Sequence, residues 1–125
     1  MKTTTCLLFA SALFAGCASN ATDIADATVA GHAYHIEREG AEPASGVSTQ
    51  LVIKPMDESM KPDTVMMWVG LQDADPSTKV AGVFDPNDGD YDVDLTCPNP
   101  LPAGSMIWFD ITLGGVTSTG SVAIK

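Results

Sequence analysis

The chain is poor in positive charge. Lys and Arg total 6 against 16 Asp and Glu, a formal net charge of −10 over 125 residues. Such a balance repels phosphate backbones, which excludes nucleic acid as a partner, and it argues against adhesion to anionic lipid through basic patches. Long apolar runs are scarce too. The first, Leu7 to Gly16, covers about 15 Å as a helix at roughly 1.5 Å per residue, half of a bilayer core. The next, Val65 to Leu71, is shorter still. Neither is long enough to span a membrane. Cysteines number only 3, at Cys6, Cys17 and Cys97. With Cys6 and Cys17 accounted for below, Cys97 stands alone and no internal disulfide can form. Among 8 prolines and 11 glycines there is little room for a long helix.

What is present begins with an address. Met1 to Gly16 reads MKTTTCLLFASALFAG, one positive charge at Lys2 followed by the short apolar run, which is the form of a secretion signal. Leu13-Phe14-Ala15-Gly16-Cys17 resembles a bacterial lipobox, with Phe14 where that family usually carries Leu. The resemblance implies cleavage before Cys17 and acylation of its sulfur and new amino group. Several acyl chains make a stable anchor, because each buried methylene contributes about 0.8 kcal/mol. Ala18 follows the cysteine where an Asp would favour the inner membrane, so the analogy points to the outer membrane, facing the periplasm. Losing Lys2 leaves 16 acids and five bases, which deepens the net charge to −11. The organisation expected is a lipoprotein signal peptide over 1–16, a lipidated cysteine and flexible tether over 17–31, and one domain over 32–125. Such a tether would hold the domain roughly 20 Å from its anchor, at about 5–6 Å times the root of its length.

From His32 onward, apolar residues recur at every second position, the strand period. Val47, Thr49, Leu51 and Ile53 form one such series. Val65, Met67, Val69 and Leu71 form another, as do Ile107, Phe109, Ile111 and Leu113. The cleanest is Tyr91, Val93 and Leu95 alternating with Asp90, Asp92 and Asp94. His32–Glu37, Lys79–Phe84 and Val116–Ile124 complete the set. Turn chemistry separates the runs, and Gly114-Gly115 reads as a two-residue hairpin turn. About seven short strands at this spacing predict an all-β fold, a single antiparallel β-sandwich of the immunoglobulin-like kind. Gly89-Asp90-Tyr91 is spaced like the tyrosine corner before strand F of such folds, and Trp68 falls where they bury a tryptophan.

Chemistry is harder to find. Asp85-Pro-Asn-Asp-Gly-Asp-Tyr-Asp-Val-Asp94 invites calcium but fails the EF-hand spacing. Asp90, Asp92 and Asp94 remain candidate cation ligands, although twice the strand rise separates neighbours by about 6.6–6.8 Å. The alternative is a solvated face whose charges discourage edge pairing. His32 and His35 are candidate copper or zinc ligands, with methionines and Cys97 as soft donors. Three places apart on a strand, however, two side chains face opposite ways. A Gly-x-Ser-x-Gly elbow is missing. Cys97 with either histidine would be a nucleophile and base, but Pro98 offers no amide for an oxyanion hole.

The segments Gly89-Asp90-Tyr91-Asp92-Val93-Asp94-Leu95, Leu101-Pro102-Ala103-Gly104 and Trp108-Phe109-Asp110-Ile111 resemble the YtkA-like and FixH-like group of small envelope β-sandwich domains. That resemblance implies an immunoglobulin-like fold; some members of the group are linked to copper or oxidase assembly. The function expected is therefore a lipid-anchored, non-enzymatic envelope protein without a cofactor. Its partners would be the membrane, through the anchor, and another envelope protein. The alternatives are metal handling by His/Met ligands and a hydrolase with an unrecognised site.

Overall fold

The computed structural model describes residues 21–125, so the signal peptide and Cys17 lie outside the described residues. Nine strands form among these: β1 (Ala21–Val29), β2 (His32–Glu39), β3 (Ser48–Pro55), β4 (Thr64–Gly70), β5 (Val80–Ala81), β6 (Val83–Asp85), β7 (Asp90–Thr96), β8 (Met106–Leu113) and β9 (Val116–Val122). One sheet runs β1-β2-β3-β7-β6 and the other β5-β4-β8-β9. Every strand pairing is antiparallel. This is the order of an immunoglobulin-like sandwich. Strands β2-β3-β7-β6 take the A-B-E-D places and β5-β4-β8-β9 the C′-C-F-G places, with β1 an added edge strand.

The two-residue rhythm does what it predicts. Leu51, Ile53, Tyr91, Val93 and Leu95 from the first sheet meet Val65, Met67, Val69, Ile107, Phe109 and Ile111 from the second in one buried cluster. The turn at Gly114-Gly115 has φ of 59° and 81°, the left-handed pair of a type I′ hairpin, and sets Leu113 opposite Val116.

Four details differ from expectation. The segment 17–31 is not a tether throughout, because Ala21–Val29 is a strand paired along its length with β2. Ile24 and Val29 are its buried anchors, and small residues between them hide the periodicity. The run Lys79–Phe84 is two strands rather than one. It leaves the second sheet as β5, crosses at Gly82, and joins the first as β6. A Cβ on Gly82 would lie 3.1 Å from the Cβ of Tyr91, so a side chain at the crossing would have to push its neighbours by a few tenths of an ångström. Tyr91 begins β7, in the E place rather than F. Its buried hydroxyl donates to the Pro62 carbonyl at 2.7 Å, ahead of β4, and so ties the two sheets together. Trp68 is buried as expected, 1% exposed, but does not belong to the inter-sheet cluster. It pairs with Trp108 across β4 and β8, the rings stacked at 6.3 Å, and Lys79 lies 4.2 Å over its ring.

Candidate functional site

One group of titratable side chains lies on the outer face of the first sheet, at its β1 edge. Strand β1 carries a bulge between Asp23 and Ala25. Because Ile24 is the extra residue, it enters the core while Asp23 and Asp26, three places apart, both face outward. Register then sets Asp26 opposite His35 and Asp23 opposite Glu37. His35 and Glu37 are two apart on β2, which places them on one face.

His35 is held at both ring nitrogens. Nδ1 lies 2.6 Å from an Asp26 oxygen and Nε2 3.0 Å from an Asp23 oxygen. Glu37 brings a third carboxylate to 3.7 Å from Nε2. The imidazole is pushed above its ordinary value, first by the Asp26 hydrogen bond and then by Asp23, against an opposing desolvation. Side-chain exposure falls from 72% at Asp23 through 28% at His35 to 1% at Glu37, so the group is open on one side and closed on the other. Asp23, His35 and Glu37 each offer one ligand atom within 4.8 Å of the others.

The expected His32–His35 pair is not brought together. His32 lies on the inward side of β2, lining a shallow cavity of about 80 Å³ with Tyr34, Ile111 and Leu113 at one end of the sandwich. Met66, Met67 and Met106 belong to the other sheet from His35. Cys97 is 3% exposed and part of the core, where burial pushes its thiol up.

Asp90, Asp92 and Asp94 alternate with the core residues of β7. Asp94 accepts a hydrogen bond from the Gln50 side chain at 3.0 Å. Asp90 is buried and its carboxyl is pushed up to about 6, first by burial and then by Asp92 and Asp88. The carboxylates that approach one another are instead Asp85, Asp88 and Asp90, around the β6–β7 turn. There the Asp85 carboxylate also accepts the Asn87 amide at 2.9 Å, and the Asp85 backbone carbonyl accepts the Gly89 amide at 2.8 Å.

Sequence reasoning reached His35 but missed Asp23, Asp26 and Glu37. The spacing of His35 and Glu37 was a usable signal. The two aspartates had none, since a bulge leaves no periodic trace. No known protein family, curated protein or solved structure matches the chain.

Proposed function

We propose that this is a lipid-anchored protein of the bacterial envelope whose sandwich serves as a non-enzymatic binding module. The observation that carries the reading is the lipobox-like Leu13-Phe14-Ala15-Gly16-Cys17, with the first strand of a folded domain opening at Ala21. The other features agree with it. The one thiol of the domain is in the core with a raised pKa, and neither histidine shares its environment, which disfavours thiol catalysis. A surface with many more acids than bases suits a basic face on another envelope protein.

Metabolic labelling with palmitate tests the anchor. Wild-type chain is expected to take up label and stay in the membrane fraction, and Cys17→Ser to lose both. An unlabelled wild-type chain refutes the reading. Crosslinking in the native envelope then tests the binding role, with reproducible capture of one protein as the expected result.

A further inference from the structure

We propose that Asp23, His35 and Glu37 form a binding site for a divalent first-row metal ion, with zinc the best-matched occupant and Asp26 as the residue that orients the histidine. This goes beyond the envelope reading and does not depend on the anchor.

The argument starts from the donors. One imidazole and two carboxylates are a ligand set that zinc accepts, at about 2.0–2.2 Å from nitrogen and oxygen. Tetrahedral ligands at that radius stand about 3.3–3.5 Å apart. Here Nε2 lies 3.0 Å from the Asp23 oxygen and 3.7 Å from the Glu37 oxygen, which brackets that spacing. Both distances lie within tenths of an ångström of that spacing, and all three ligand atoms lie within 4.8 Å of one another, leaving the fourth position to water. The open side at Asp23 supplies the entry path.

The remaining carboxylate has a separate part. Metal-bound histidines characteristically donate their second ring N–H to a carboxylate, which fixes the ring and raises its basicity. Asp26 stands at 2.6 Å from Nδ1, opposite the nitrogen that faces Asp23 and Glu37. In the imidazolium form Nε2 donates toward Asp23; an ion would take the place of that proton and leave Nδ1–H on Asp26.

The donors are harder than the methionine and thiol set that selects copper(I), so the site is not a cuprous one.

Titration of the purified full chain with zinc, followed by calorimetry, tests the site. One equivalent is expected to bind saturably. Asp23→Asn and Glu37→Gln are each expected to weaken binding at least tenfold, and His35→Gln to abolish it. Asp26→Asn is expected to weaken it about 10–100-fold with the stoichiometry unchanged, the usual cost of losing a histidine-orienting carboxylate. Thermal melts of each metal-free variant establish that it is folded, and added zinc is expected to raise the midpoint of wild type but not of His35→Gln. An absence of saturable wild-type binding overturns the proposal. So does binding that survives His35→Gln, which would place the ion elsewhere, such as at Asp85 and Asp88.

Discussion

At the scale of single residues, the fold depends on places where a side chain must be missing as much as on those where one is present. Gly120 of β9 sits opposite Phe109, and a Cβ there would lie 2.5 Å from Val29 Cγ2 and 2.7 Å from the Phe109 ring. Backbone and two core side chains already fill that space, so Gly120→Ala is expected to destabilise by about 1–3 kcal/mol, the usual cost of overpacking. Denaturant unfolding measures it, and a variant as stable as wild type would mean that Val29 and Phe109 do not pack against Gly120 in this way. His35 makes a second prediction through its protons. Its pKa is raised in the folded, metal-free chain, above the roughly 6.5 of an unfolded histidine. A raised histidine pKa stabilises the fold fully at pH below the unfolded value, and that contribution fades as pH rises through the folded one. The stability advantage of wild type over His35→Gln is therefore expected to be larger at pH 5.5 than at pH 8.5. An NMR titration of the ring should give a midpoint above about 6.5.

Strand β1 is the informative element. Its Ile24 and Val29 are 4% and 7% exposed, and burying such a side chain stabilises by about 1.5–3 kcal/mol. Removing residues up to Val29 is thus expected to cost several kcal/mol, a large part of an ordinary domain's roughly 5–15. It also bares the β2 edge, so the shortened chain is expected to melt earlier and to self-associate on size-exclusion chromatography. A harmless deletion would restore the tether reading for the whole segment. Why this strand escaped the sequence while β7 did not is a matter of local rules. Tyr91, Val93 and Leu95 alternate without interruption, and Gly114-Gly115 is a turn whose chemistry is visible in two letters. In β1 the bulge at Ile24 breaks the alternation, and the hairpin turn to β2 is Ala30-Gly31, with Ala30 at φ 51° where glycine or asparagine would have announced it. The crossing at Gly82 was hidden for another reason. Whether a chain stays in its sheet depends on Tyr91 and Val93, which close around that glycine from another strand. The His35 group is likewise assembled by cross-strand register, and one sequence read linearly carries no register.

Across the whole molecule, the few bases are largely committed to internal contacts. Lys61 lies 3.8 Å over the Phe84 ring, Lys79 covers Trp68 and pairs with Asp110 at 3.2 Å, and Arg38 donates to the Lys125 carbonyl at 2.9 Å. The field presented outward is therefore acidic, as the composition implies. A Cys17→Ser chain, without acyl groups, is expected not to bind vesicles of anionic lipid at low or high salt in a flotation assay. Salt-sensitive binding would reveal a basic patch that the fold does not display. The early start of β1 has one more consequence, given the acylation proposed at Cys17. Four residue steps reach from that cysteine to Ala21, a leash of at most about 14 Å at roughly 3.3–3.6 Å per residue. A sandwich so anchored would stay close to the membrane that holds it. It would travel as a low-riding raft on the bilayer, its β1 border keelward, meeting by lateral diffusion whatever else is confined to the same plane.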